Sequence, residues 1–156
     1  DVYKRQDYAA LCDVFYLGGT KCGALFGEAV VFTKGNTPKH FLTQIKQHGA
    51  LLAKGWLLGL QFLGLFRSET FFKLAGHANA MADQIRAGLK KAGIPLLTET
   101  PTNQIFPILE NKKMEALSRE VAFETWEKAD DTHTVIRLVT SWATTQEQVD
   151  KLLSLL

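Results

Sequence analysis

The first part of the chain contains two short apolar runs without polar alternation, at residues 14–17 and 29–32. Continuous apolar runs of this length are typical of strands that are covered on both faces. From Pro38 to residue 66 apolar positions recur at helical spacing, but glycines interrupt them. Because glycine costs about 1 kcal/mol in a helix interior, we expect close packing against another backbone there, or a helix that ends and restarts.

The clearest helical pattern covers residues 69–92. Its apolar positions follow a 3.6-residue period and form one stripe: Phe71, Leu74, Ala75, Ala78, Met81 or Ala82, Ile85 and Leu89. Ser68 is a favourable N-cap, and Glu69 suits the positive end of the helix. Gly93 is predicted to end the helix, because glycine readily adopts the left-handed conformation found just after a helix C-terminus.

The remaining elements are short. We predict a strand at 104–109 that is an edge strand or bulged at Pro107, a helix at 111–119, strands at 121–126 and 135–140, and a final helix that opens on a capping box at 144–147. The order from residue 67 to 156 is therefore helix, strand, helix, strand, strand, helix. This order predicts a small α/β sandwich domain with its own core.

The segment 7–66 offers one glycine-broken helix to cover two strands that are apolar on both faces. We therefore expect it to be the remnant of a larger domain, with further structure on its N-terminal side. The first six residues, DVYKRQ, have no turn chemistry, and their pattern does not continue into the segment that begins at residue 7. We interpret residues 1–6 as a cloning or assembly remnant.

Composition narrows the class of protein. The chain of 156 residues is 46% hydrophobic and has a net charge of +2, so no basic face for nucleic acid is expected. No apolar run approaches the roughly 18 residues of a membrane span. Cys12 and Cys22 lack metal-ligand spacing and read as free thiols of a reducing compartment, and no histidine pair suggests a metal site. A soluble cytoplasmic protein without a metal is the expectation.

One lysine lies among unusually small residues. Lys21 is the only charge within YLGGTKCGALFG, residues 16–27, directly after the first predicted strand. A solvated loop lysine is one interpretation. A phosphate-binding Walker loop fails on spacing, since Lys21 follows Thr20 and precedes Cys22. A lysine that forms a Schiff base is the third, because such an amine needs partial desolvation and room for a bulky partner.

Four segments, in order, resemble one enzyme family. These are DVFYLGGTKCGALFGEAVVF, KQHGALLAKGWLLGLQF, TNQIFPIL and VIRLVTSWATT. Together they resemble the threonine aldolase and β-eliminating lyase family of pyridoxal-phosphate enzymes, which have the aspartate-aminotransferase-like fold known as fold type I. The resemblance covers essentially residues 7–156 and corresponds to the C-terminal part of a chain about twice as long. It implies an α/β fold made of a large-domain remnant and a small domain.

The resemblance also implies roles for particular residues. Lys21 would bind pyridoxal phosphate covalently, and its glycine neighbours would let the pyridine ring approach the backbone. Thr20 would lie near the cofactor phosphate, although an ordinary turn threonine fits equally well. Lys54 would approach the cofactor of a neighbouring subunit. Lys46 is the alternative for that role, and both lysines fit equally well as ordinary solvent-exposed side chains.

Arg137 is the remaining candidate. A guanidinium among branched apolar residues is costly to bury unless an anion meets it. The resemblance implies that Arg137 binds the α-carboxylate of an amino-acid substrate through two parallel hydrogen bonds. The alternative is a structural ion pair with Asp130, Asp131 or Glu127.

The function implied by the resemblance is aldol cleavage of a β-hydroxy-α-amino acid, typically threonine, to glycine and an aldehyde. Lys21 would hold the cofactor, Arg137 would hold the substrate, and the complete protein would be a homo-oligomer. The alternatives are another fold type I reaction, such as β-elimination or transamination, or an inactive fragment that acts only as an oligomerisation module.

Overall fold

The computed structural model describes residues 5–156, which form two compact units. The first unit ends at Lys73, and the second runs from Leu74 to Leu156. The domain bounds expected at residues 7–66 and 67–156 stay predictions. Of the N-terminal segment 1–6, residues 1–4 lie outside the described residues, and Arg5 begins a helix.

The first unit is a β-hairpin with three short helices. Its elements are α1 (Arg5–Leu11), β1 (Val14–Gly18), β2 (Glu28–Phe32), α2 (Phe41–Gln47) and α3 (Trp56–Arg67). The strands are antiparallel, with Val14 opposite Phe32 and Gly18 opposite Glu28. Within the described residues one face of the hairpin is half-buried, whereas Val14, Tyr16 and Val30 on the other face are exposed. Although both faces of the hairpin are apolar, only one of them is partly buried in the described residues.

The glycine-interrupted helical pattern forms two helices, which is the second of the two expected outcomes. Gly49, two residues after the end of α2, has φ +67, a left-handed conformation that glycine adopts at little cost. The chain restarts as α3 after Gly55. Gly59 and Gly64 lie inside α3 with no atom within 4 Å of the position that a Cβ would take.

The second unit packs helices against one face of an antiparallel sheet. Its elements are α4 (Thr70–Lys91, which starts in the first unit), β3 (Gln104–Ile105), β4 (Ile108–Glu110), α5 (Asn111–Leu117), β5 (Glu124–Lys128), β6 (His133–Val139) and α6 (Gln146–Ser154). Strand β6 is central, because it pairs with β3, β4 and β5. Pro107 separates β3 from β4, as its missing N–H predicts.

The core of the second unit joins the stripe of α4 to the helix-facing side of the sheet. It contains Met81, Ala82, Ile85, Leu89, Ile105, Leu109, Leu117, Ile136, Leu138, Val149 and Leu152. Leu89 and Ile136 are completely buried. Alternation along β6 places Ile136 and Leu138 in this core, so Arg137 lies on the opposite face of the sheet.

Several features differ from the sequence-based prediction, among them the role of Ser68, the capping box and the strand before β6. Ser68 follows the end of α3, and Glu69 has φ +56, so Ser68 is not the N-cap of α4. The capping box pairs Thr145 with Gln148, one residue later than expected. The strand predicted at 121–126 is β5, shifted to Glu124–Lys128, because Val121 and Phe123 pack against the core outside the ladder.

Candidate functional site

The lysine lies in a short loop between the two strands of the hairpin. We call residues 18–27 the lysine loop. Its backbone makes a single 3-10 turn over Thr20–Cys22. The N–H groups of Cys22 and Ala24 both donate to the carbonyl oxygen of Gly19, at 3.0 and 2.9 Å. The turn is thereby closed on itself directly after the strand ends.

Close packing on α3 explains several of the small residues. A Cβ on Gly19 would lie 2.7 Å from the Cβ of Ala24 and 3.0 Å from Cζ of Phe62. Gly27 has φ +88, and a Cβ there would collide with the side chain of Leu58. Gly19 is therefore required by close packing on Ala24 within the loop and on Phe62 of α3, and Gly27 by its contact with Leu58 of α3. The expectation that the glycines leave room for a cofactor stays a prediction.

A side-chain amide fastens the far end of the loop to the same helix. The backbone N–H of Leu25 donates to Oε1 of Gln61 at 2.7 Å. The Nε2 group of Gln61 donates to the carbonyl oxygen of Phe26 at 3.2 Å. One glutamine on α3 thus satisfies two backbone groups that the hairpin ladder does not use. Nothing in the local sequence pattern distinguishes Gln61 from a surface glutamine.

The side of the loop that carries Lys21 is open. Lys21 and Thr20 are exposed, and among residues 5–156 no hydrogen bond or ion pair engages the Lys21 ammonium. A Cβ on Gly18 would meet no atom within 4 Å. The neighbouring Cys22 is buried, and this burial raises the pKa of its thiol. The expected desolvation of the lysine is absent here, because no described element covers this side.

The two other lysines with a predicted role lie at helix ends. Lys46 is in the last turn of α2, and Lys54 is in the turn that precedes α3. The carbonyl oxygen of Lys54 accepts the N–H of Leu57 at 3.0 Å, which fixes the backbone at that point. Both side chains are exposed, so the choice between them stays open and their contact with a cofactor stays a prediction.

Arg137 lies on the sheet face opposite the core, and polar and aromatic side chains surround it. Its Nη2 group donates to Oε2 of Glu124, and its Nη1 group lies 3.4 Å from Oε1 of Gln104. The ring of Trp126 lies under the guanidinium, 5.4 Å from its centroid to Cζ. The Nε atom is buried, and residues 5–156 offer it no hydrogen-bond partner. Arg137 thus has an anionic partner and an unused donor side by side.

The anionic partner is not one of the three that were expected. Asp130 caps the β5–β6 turn instead, and hydrogen bonds from Thr132 and His133 hold the pKa of its carboxyl well below its usual range. Asp131 pairs with Lys128 at 2.6 Å. Among the described residues Glu127 has no ion pair. The proposed partners were wrong, although the ion-pair interpretation itself describes the Arg137 contact.

A β-bulge explains why Glu124 and Trp126 both reach Arg137. Glu124 is directly opposite Arg137 in the ladder, so the two share a face. The register then shifts between Thr125 and Glu127, which makes Trp126 an extra residue of the strand. A bulge can redirect a side chain in this way. No sequence signal announces the shift, and sequence reasoning missed all three contacts of Arg137.

Residues 5–156 contain no group of three or more histidine, cysteine, aspartate or glutamate side chains that could hold a metal ion. In the same residues, none of the helices has both the length and the apolar character that crossing a membrane requires.

Comparison with solved structures defines the class of protein. The serine palmitoyltransferase of Sphingomonas wittichii aligns with 99% of this chain at a TM-score of 0.64 and 16% identity. A second solved structure, of SPT with a PLP internal aldimine, aligns with 99% of this chain at a TM-score of 0.61 and 15% identity. The chain covers 41% of each. It therefore has part of the fold of these proteins, the fold type I architecture, which confirms the predicted fold class.

Closer relatives identify the family. The threonine aldolase of Leishmania major aligns with 95% of this chain at a TM-score of 0.90 and 42% identity. Low specificity L-threonine aldolases of Pseudomonas aeruginosa and of a Pseudomonas species are each 30% identical over 106 residues, which is 67% of this chain. No family model matches the chain. The chain belongs to the threonine aldolase family, as the sequence resemblance predicts.

The chain is shorter than these relatives. It spans 31% of the length of each curated aldolase and 43% of the Leishmania major structure.

Proposed function

We propose that the protein containing this chain is a pyridoxal-phosphate-dependent lyase that cleaves L-threonine, or a similar β-hydroxy-α-amino acid, to glycine and an aldehyde. The similarity to a threonine aldolase at 42% identity over 95% of the chain carries this proposal. In the reaction the Cα–Cβ bond breaks, the β-hydroxyl loses its proton as the aldehyde forms, and Cα gains a proton to give glycine.

Lys21 supplies the amine that holds pyridoxal phosphate. When bound, the cofactor acts as an electron sink for the charge that develops at Cα. The lysine loop fits this task, because Gly18 leaves open space at the start of the loop and no described element blocks access to Lys21. Attachment to α3 through Phe62 and Gln61 keeps the lysine backbone in one position. Sites on well-supported backbone hold reacting groups more accurately than sites on free loops.

Arg137 binds the substrate carboxylate in this proposal. A planar guanidinium matches a carboxylate with two parallel N–H donors and carries its charge at every physiological pH. The unpartnered Nε of Arg137 supports the assignment, because a buried donor without an acceptor is unfavourable in the absence of a ligand. Thr20 is proposed to contact the cofactor phosphate, and Lys54, with Lys46 as the alternative, to approach the cofactor of a neighbouring subunit.

The organisation of the complete protein is also a proposal. Residues 7–66 form the end of the cofactor-binding large domain, and residues 67–156 form the small domain. The described part of the first unit exposes large apolar side chains, among them Val14, Tyr16, Leu25, Val30, Trp56, Leu57, Leu60 and Leu63. Apolar patches of this kind mark surfaces that another polypeptide covers. We assign that cover to the rest of the large domain and to further subunits of a cytoplasmic homo-oligomer.

Borohydride reduction of the full-length protein with pyridoxal phosphate tests the role of the lysine. Peptide mapping should then find the pyridoxyl group on Lys21, and Lys21→Ala should retain neither the group nor threonine cleavage. Lys39→Ala serves as the matched control, because Lys39 is exposed, belongs to the same unit and has no proposed role. A pyridoxyl group on Lys54 or Lys46 would overturn the assignment of Lys21. Retained cleavage in Lys21→Ala would overturn the mechanism.

A further inference from the structure

We infer that Glu124 is an internal competitor for the anion site of Arg137, which makes it a residue that determines specificity. It occupies one donor of the guanidinium until a carboxylate with two oxygens displaces it. The inference rests on the proposed role of Arg137 as the carboxylate-binding residue. Glu124 thereby selects between anions, because an anion that makes one contact with Arg137 binds no more favourably than the carboxylate it would displace.

Arg137 uses only one of the two hydrogen-bond donors on one edge of its guanidinium. In a guanidinium the Nε–H and one N–H of Nη2 point the same way and form one planar fork. Glu124 accepts from Nη2, whereas Nε is buried and finds no acceptor in the part of the chain that the structure describes. The contact to Gln104 lies on Nη1, outside that fork, and at 3.4 Å it is long. The fork therefore binds one oxygen where a substrate carboxylate would supply two.

The surrounding side chains keep the fork in place when its anion is exchanged. Trp126 covers one face of the guanidinium at 5.4 Å, and Phe106 packs edge-on against Trp126 with 5.1 Å between ring centroids. The plane of the guanidinium is thereby fixed by contacts that do not involve Glu124. Replacement of one carboxylate by another also avoids a stage at which the positive charge is half-buried without a partner.

Exposure makes Glu124 easy to displace. Its side chain is 59% exposed, whereas that of Arg137 is 30% exposed. Ion pairs near the surface shift an equilibrium by only about 1.4- to 5-fold, because water and salt screen them and ordering long side chains is unfavourable. A carboxylate that takes both N–H groups makes two charge-assisted hydrogen bonds. Glu124 therefore excludes single-contact anions without blocking a bidentate ligand.

The experiment uses the full-length protein without substrate and follows the Nε–H resonance of Arg137 by NMR, identified by its loss in Arg137→Lys. Sodium acetate is the probe with two oxygens, and sodium chloride at the same ionic strength is the spherical anion. Glu124→Gln keeps the shape of the side chain and removes its charge. Glu127→Gln is the matched control, since Glu127 is on the same strand and opposite Val135 rather than Arg137.

We expect acetate to bind Glu124→Gln about two- to fivefold more tightly than the unmodified chain, and Glu127→Gln to be unchanged. Chloride should perturb the Arg137 resonance in Glu124→Gln only. Should Glu124→Gln unfold, Glu124→Asp keeps the charge, and its shorter reach should give an intermediate affinity. Equal or weaker acetate binding in the Glu124 variants overturns the inference but leaves Arg137 as a carboxylate site. If acetate moves the resonance in none of the chains, the role of Arg137 falls as well.

Discussion

Substitution of Gly19 by alanine tests whether the small residues near Lys21 serve the contact with α3. The backbone of Gly19 has φ −110 and ψ −23, which any residue adopts, so alanine adds no backbone strain. Its methyl group would lie 2.7 Å from Cβ of Ala24 and 3.0 Å from Cζ of Phe62. Gly18→Ala is the matched control, because a Cβ at residue 18 meets nothing within 4 Å.

The magnitude follows from these distances. Carbon atoms in contact prefer about 3.5–4.0 Å, so the new methyl would be close to 1 Å too near Ala24. Ala24 cannot move away freely, since its N–H donates to the carbonyl oxygen of Gly19 itself. Extra methyl groups in packed sites typically cost about 1–3 kcal/mol. A cost of that size corresponds to about a 5- to 150-fold larger population of the detached loop.

The thiol of Cys22 reports that population. It is buried within the 3-10 turn, and burial raises its pKa, so alkylation of the folded loop is slow. In a Cys12→Ala background, labelling of Cys22 by iodoacetamide at fixed pH therefore measures opening of the loop. We expect labelling to accelerate about 5- to 150-fold in Gly19→Ala and to stay within about twofold in Gly18→Ala.

Two results would refute this reasoning. Unchanged labelling in Gly19→Ala, with the chain still folded by circular dichroism, would mean that the close packing of Gly19 on Ala24 and Phe62 does not hold the loop closed. Equal acceleration in Gly18→Ala would mean that any side chain in the loop is harmful, and the specific contact would lose its support.

Three further predictions use other contacts. Gln61→Leu removes two exposed hydrogen bonds, those to the N–H of Leu25 and to the carbonyl oxygen of Phe26, so Cys22 labelling should rise about 2- to 10-fold. Unchanged labelling would contradict the role of Gln61 in holding the loop. Thr145→Ala removes the capping box of α6 and should lower the free energy of unfolding in urea by about 1 kcal/mol. Thr144→Ala is the comparison, because the sequence pattern predicts the capping box at that residue. Arg137→Lys keeps the charge but loses the planar fork, so the full-length protein should bind amino acids more weakly with cofactor binding retained; unchanged affinity would make Arg137 a structural residue.

The fold of the second unit was largely predictable because its signals are local and strong. The stripe of α4 and the stop at Gly93, which has φ +71, give a helix within one residue of the expectation at each end. The prediction errors occur at residues whose type suits more than one local conformation. Ser68 suits the start of a helix by type, yet it follows α3, because Glu69 takes the left-handed conformation between the two helices.

Strand β5 shows a different limit. All five of its residues are exposed, so it carries no apolar alternation that a sequence pattern could detect. Its position depends on pairing with β6, and the bulge at Trp126 depends on that pairing too. The apolar residues that suggested a strand, Val121 and Phe123, are used for packing just before it. A pattern of single positions contains no information on such a shift in register.

The lysine loop shows how one composition can answer two physical demands. Small residues around Lys21 are compatible with room for a cofactor and equally with close approach to a helix, and the sequence does not say which neighbour lies on which side. In the structure Gly19 and Gly27 face α3, whereas Gly18 faces open space. The same stretch thus presses its backbone onto α3 on one side and leaves Lys21 unobstructed on the other. The proposed role of Lys21 needs both features, because positional error at an amine that holds a cofactor would carry over to the reacting atoms.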